Sequence, residues 1–190
     1  MKKLSLIFAS VLLASITVIN ANAADTNTAS HNVGITVNDL ALINIKKTGS
    51  GGVDITLNPA APTEAGSAIS FTNAKNDDLW LNYSSIVASS DATRTITAKL
   101  DKNLPDGILL KLTATTPNNK GKGTLGESVA QKATLTSGET TVINGIGSCY
   151  TGNGANAGSN LSYTVEVDPD KYATILSNDY SVTVTYTISE

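Results

Sequence analysis

Hydrophobic and polar positions alternate most regularly at the end of the chain. Over residues 180–189, Tyr180, Val182, Val184, Tyr186 and Ile188 fall on one side of an extended backbone, and Ser181, Thr183, Thr185, Thr187 and Ser189 on the other. A period of two is the signature of a half-buried β-strand. The β-branched and aromatic residue types suit such a pleated surface. A second alternation stands near the other end, where His31, Val33, Ile35 and Val37 oppose Asn32, Gly34, Thr36 and Asn38. It predicts another strand. Leu40, Leu42, Ile43 and Ile45 extend the apolar run to Lys46 and Lys47, and the Gly/Ser-rich residues 48–52 end it.

Between these ends lie further short runs bounded by Gly, Pro, Asn and Asp. Strands are predicted over residues 53–57, 68–72, 79–87, 93–100, 108–116, 132–136 and 140–146. Leu79, Leu81 and Tyr83 share the face opposite Trp80 and Asn82, and read as core. The same reading places Ile96, Ala98 and Leu100 on one face, and Leu110, Leu112 and Ala114 on another. Residues 104–107, Leu-Pro-Asp-Gly, predict a turn that would make a hairpin of the strands flanking it, and Ser137-Gly138 predicts a second hairpin. Residues 128–133 and 169–176 have room for a turn or two of helix, without a long stripe of period 3.6. About nine or ten short strands in a single domain over residues 31–190 imply an all-β antiparallel sandwich or barrel.

The first residues change where the chain is expected to work. Lys2 and Lys3, an apolar segment over residues 4–19 and the small residues of Ala21-Asn22-Ala23 form the three-part pattern of a cleaved export signal, residues 1–23. Residues 24–30, small and polar, read as a flexible arm. The mature protein is thus expected in the periplasm, at the cell surface or outside the cell, with no membrane insertion once the signal is removed. Loss of Lys2 and Lys3 lowers the basic count from 13 to 11 against 16 acidic residues, moving the formal charge from −3 to −5. A mild negative charge without basic clusters argues against nucleic acid as a partner. Cys149 is the only cysteine, so no internal disulfide forms, and its place is wrong for a lipid anchor after the signal.

Candidate chemistry is sparse. His31 is the sole histidine, with no nucleophile-elbow sequence to accompany it. One His and one Cys at unrelated positions do not make a zinc site. Neither Asn76-Asp77-Asp78 nor Asp168-Pro169-Asp170 follows the calcium-loop pattern, and both read as solvated loops. Residues 144–160 form the most unusual loop, rich in Gly and Asn. No Lys-Ser/Thr follows its glycines, which excludes a phosphate cradle. Two readings stay open for it: a mobile crossover, or a surface whose Tyr150 contacts a glycan or protein, with Trp80 as a further contact. Cys149 within it reads as packed. No catalytic, metal or cofactor site is expected.

The C-terminal stretch 180–186, Tyr-Ser-Val-Thr-Val-Thr-Tyr, resembles the last strand of chaperone–usher fimbrial subunits and of the related spore-coat-U group. That resemblance implies a structural subunit with an antiparallel β-sandwich, immunoglobulin-like or pilin-like, that lacks one strand, filled by the N-terminal arm of the next subunit. It implies donor positions at Val33, Ile35 and Val37, and an acceptor lining of Val182, Val184 and Tyr186. The residues themselves leave open whether 33–37 is donated or pairs within its own domain. The expectation is a non-enzymatic surface protein used in fimbria-like self-assembly or adhesion to other surface proteins, beside two alternatives: a carbohydrate-binding module and, less supported, a secreted hydrolase.

Overall fold

A computed structural model of the protein describes residues 27–90, 93–118 and 120–189. The expected export signal lies outside them, as do residues 24–26 of the expected arm. The chain divides into two units, residues 1–36 and 37–190. In the first, residues 27–36 are exposed and form no strand.

The second unit is built from strands. They are β1 (Leu40–Lys47), β2 (Lys75–Ile86), β3 (Arg94–Leu100), β4 (Ile108–Ala114), β5 (Lys122–Gly123), β6 (Glu127–Ser128), β7 (Ala133–Thr134), β8 (Thr140–Ile146), β9 (Cys149–Tyr150), β10 (Ser159–Val167) and β11 (Val184–Ile188). All pairings are antiparallel, in two sheets that pack as a sandwich. In the first sheet β1 runs along one edge of β2; the other edge of β2 is shared by β10 and β9, with β4 and β7 beyond β10 and β5 beyond β9. The second sheet has the order β11-β3-β8-β6. Eleven strands exceed the nine or ten expected: β5, β6 and β9 have two residues each, too few to leave a periodic signal, and the nine-residue β10 is not among the expected strands.

The predicted inner faces are the ones that meet. Leu79, Leu81 and Tyr83 of β2, Ile96, Ala98 and Leu100 of β3, and Leu110, Leu112 and Ala114 of β4 are all buried, with Val142, Ile143 and Ile146 of β8 and Leu161 and Tyr163 of β10. Each fully buried aliphatic side chain contributes roughly 1.5–3 kcal/mol by its removal from water.

Six expectations about elements fail. Residues 31–38 keep their alternation but form no strand, since a strand needs a partner for its N–H and C=O groups and no described residue pairs with them. Residues 53–57 likewise join no ladder, although Ile55 and Leu57 pack half-buried against the core; residues 68–72 contribute only the Ala60–Ser70 bridge. The two predicted hairpins are absent because their strands lie in opposite sheets: β3 pairs β8 while β4 pairs β10, and β7 pairs β4 while β8 pairs β3. The turn at Gly107 is nevertheless real, with φ +90° and Ile108 N–H donating to the Pro105 carbonyl. Residues 128–133 form no helix, whereas Pro169–Thr174 is a 3-10 helix capped by the Asp168 side chain.

Candidate functional site

The side of the sandwich bounded by β1 and β11 differs from the rest. Among the described residues each of these strands pairs on one edge only, β1 with β2 and β11 with β3, and they approach one another without pairing. In an antiparallel ladder alternate residues direct both backbone groups to the partner, and those between direct theirs away. Asp101 N–H donates to the Thr183 carbonyl and Ser189 N–H to the Thr95 carbonyl, which assigns the odd-numbered residues here to β3. Val184, Tyr186 and Ile188 therefore turn their N–H and C=O groups to the open edge. On β1, Thr48 N–H donates to the Asp78 carbonyl, which assigns the even-numbered residues to β2. Ala41, Ile43 and Ile45 are left facing the other open edge.

The same residues carry the inward side chains. Ile43 and Ile45 of β1, Val182 just before β11, and Val184, Tyr186 and Ile188 pack on the core yet stay only half-buried. Two open edges with half-covered apolar side chains between them make a site that another extended segment could complete, by backbone pairing and apolar contact together. At the end where β11 begins, a cavity of about 350 Å³ is lined by residues of 102–105 and by Tyr180, Ser181 and Val182.

Tyr186 is also tied to the closed part of the core. Its hydroxyl is 2.6 Å from that of Tyr163 on β10, across the two sheets. Burial pushes the Tyr163 phenol up to about 12, partly offset by this hydrogen bond. Tyr186 is held well above the ordinary tyrosine value, by burial first and then by its neighbour Tyr163.

The opposite end of the site is closed by a contact that the sequence reading missed. Arg94, the only arginine in the chain, is 2% exposed at the start of β3. Its Nη2 donates to the Asp39 carboxylate, immediately before β1, and its Nη1 to the Ser189 carbonyl at 2.8 Å, immediately after β11. The signal was present in the phase: Arg94 falls on the face of Ile96, Ala98 and Leu100, and Asp39 on that of Ala41, Ile43 and Ile45.

The predicted donor positions are available rather than buried. Val33, Ile35 and Val37 are 73%, 85% and 72% exposed. Of the predicted acceptor positions, Val182, Val184 and Tyr186 all lie on the inner face at the open side.

The candidate ligand contacts do not converge. Trp80 is half-buried on the outer face of the first sheet, its indole N–H donating to Thr48 Oγ1 at 3.1 Å. Tyr150 is 51% exposed and pairs with Ser84, four residues or roughly 13 Å further along β2. Asn82 separates them, covered by the loop for which a mobile crossover is one of the two readings. That loop is fastened instead: Gly154 N–H donates to Asn82 Oδ1, Asn82 Nδ2 to the Ala157 carbonyl, and Thr151 N–H to the Tyr83 carbonyl. At Gly158, φ is +70° and a β-carbon would collide with the Leu81 carbonyl oxygen, so only glycine lets the loop lie this close to β2. Cys149 is buried, and burial raises its thiol pKa, which keeps it in the unreactive form.

His31 is exposed in residues 27–36. The two acidic groups make local bonds, Asn76 Nδ2 to Asp78 and Asp170 N–H to Asp168. Among the described residues no three His, Cys, Asp or Glu side chains are grouped to hold a metal ion. No family model, curated protein or solved structure matches the chain.

Proposed function

We propose that the protein is an exported, non-enzymatic structural subunit that assembles head to tail by strand donation. Val33, Ile35 and Val37 of one copy would enter the open side of the next, beside Ile43, Ile45, Val184, Tyr186 and Ile188. The observation that carries this reading is the coincidence of two open strand edges, half-buried side chains between them, and an exposed segment of matching period elsewhere in the same chain. A donor segment and an acceptor side are two different surfaces, so their contact is head to tail and extends into a polymer where the rotation between copies does not close. The likeness of residues 180–186 to fimbrial last strands, and an export signal over residues 1–23, support the same conclusion.

The test removes residues 24–37 from the mature chain and supplies residues 32–38 as a synthetic peptide. The truncated protein should remain monomeric by size-exclusion chromatography where the full mature chain forms polymers. The peptide should raise its melting temperature, since a ligand at a hundred times its Kd adds about 2.7 kcal/mol. Polymers from the truncated chain, or no thermal shift with peptide, would overturn the proposal.

A further inference from the structure

A period-two pattern has one ambiguity that hydrophobicity does not resolve. A slip of one residue turns every side chain to the wrong face, but a slip of two restores every face. In this chain the odd-numbered residues Val33, Ile35, Val37, Asp39, Ala41, Ile43 and Ile45 form one unbroken phase through the exposed segment and β1. Apolar matching alone therefore does not decide which of them stay in the home strand and which are left over. Asp39 is the one polar member of the series, and it meets Arg94.

We infer that the Asp39–Arg94 pair is a register pin, dividing this alternation into a home strand that starts at Leu40 and a segment before it that is free to be donated. A two-residue slip of β1 in one direction would carry the carboxylate to the position of Ala41, inside the apolar face. In the other direction it would withdraw it toward the position of Val37. Either slip parts the carboxylate from Arg94, whose guanidinium is buried and whose Nε has no partner among the described residues. Stranding a buried charge is far more costly than sliding an apolar side chain to an equivalent place. The pin also reaches β11, because Nη1 of the same guanidinium bonds the Ser189 carbonyl while Thr95 N–H donates to Ser189 Oγ. One side chain thus fixes the start of β1 relative to the end of β11, the two strands that border the open side. Asp39 and Arg94 are positioning residues. The home-strand half stands on this geometry alone; the donated half rests on the strand-donation reading.

Disulfide trapping reads the register directly. Leu42 and Ser84 are opposite one another on the outer face in the observed register, and Leu40 would oppose Ser84 after a two-residue slip. Leu42→Cys with Ser84→Cys should oxidise rapidly in the otherwise native protein, and Leu40→Cys with Ser84→Cys at a rate at least tenfold lower. Asp39→Val with Arg94→Met replaces the pin by apolar groups; it should stay folded and bring the two trapping rates within about threefold of each other. Should that double variant fail to fold, Asp39→Asn, which keeps an acceptor and removes the charge, should still raise the slipped trap at least fivefold. An unchanged ratio in the variant that folds would overturn the pin. Binding of the 32–38 peptide to the Asp39→Asn protein separates the two proposals. Native affinity with altered trapping supports both, while no peptide binding by any form, with altered trapping, overturns strand donation and keeps the pin.

Discussion

The closed and open sides of this sandwich are made from the same alternation of apolar and polar residues, yet they reach different degrees of burial. Ile96, Ala98 and Leu100 on β3 have strands on both edges of their own strand and a second sheet above them, and are buried. Val184, Tyr186 and Ile188 on β11 have the same second sheet but, among the described residues, a partner on one edge only, and remain half-buried. Burial in a sandwich thus depends on lateral neighbours as much as on the facing sheet. The remaining outer strands teach the converse: β5, β6 and β7 have two residues each, a length that offers little template for another chain, whereas β1 has eight and β11 five.

The largest expected effect tests that contrast directly. Leu81→Ala should lower the stability of the mature chain by about 2–5 kcal/mol in urea unfolding, the usual range for a fully enclosed aliphatic side chain. Val184→Ala, on the open side, should cost about 1 kcal/mol, because part of that side chain is in water already. Addition of the 32–38 peptide should widen the cost at Val184 and leave that at Leu81 unchanged. Equal costs at the two positions without peptide would mean that the open side is not open in solution.

A smaller effect sharpens how the open strand is fastened to the closed core. Folded Tyr163 titrates at about 12, and an unfolded tyrosine near 10. Between those values the unfolded chain releases a proton that the folded chain retains, so stability is lost as pH rises through this window and is fully present below about 10. Tyr163 alone gives a slope of about −1.4 kcal/mol per pH unit. Tyr186, displaced in the same direction, adds to it. Tyr163→Phe should flatten the fall measured by urea unfolding between pH 10 and 12 by that slope. An unaltered pH profile would mean that the Tyr163 phenol is not buried as it is here.

Much of the fold was legible because burial follows phase. The inner faces of β2, β3, β4 and β11 could be read residue by residue from spacing, since a strand with one wet face must alternate. Pairing was not legible in the same way. The Pro105–Gly107 turn reverses the chain, but a turn does not specify whether the next strand returns beside β3 or crosses to the other sheet. The strand expected over residues 31–38 failed for a related reason: sequence supplies the face, and only a neighbour supplies the ladder. The Asp39–Arg94 contact could have been found, because Arg94 sits in a buried apolar phase where an uncompensated charge would be costly, and Asp39 in the phase of the inward residues of β1. The fastening of residues 151–158 onto Asn82 could not, since it depends on backbone groups and on positive φ values at Gly152, Gly154, Asn156 and Gly158 that no periodicity encodes.

The smallest expected change in stability lies in the exposed segment, and there the comparison between closed and open regions becomes a test of function. Ile35 is the most exposed of the three apolar residues there, so Ile35→Asp should shift the unfolding free energy of the monomer by no more than about 0.5 kcal/mol. Polymer formation should nevertheless be lost, because the carboxylate would have to enter the apolar floor formed by Ile43, Val184 and Tyr186. The same protein should still accept the native 32–38 peptide, since its own open side is untouched. Mixed with native subunits it should therefore terminate polymers at one end, and sedimentation velocity would record shorter species in proportion to its share. Retained assembly of the Ile35→Asp protein would place the contact between subunits somewhere other than this segment. Loss of peptide acceptance along with assembly would mean that the substitution acts on the sandwich itself, contrary to its exposure.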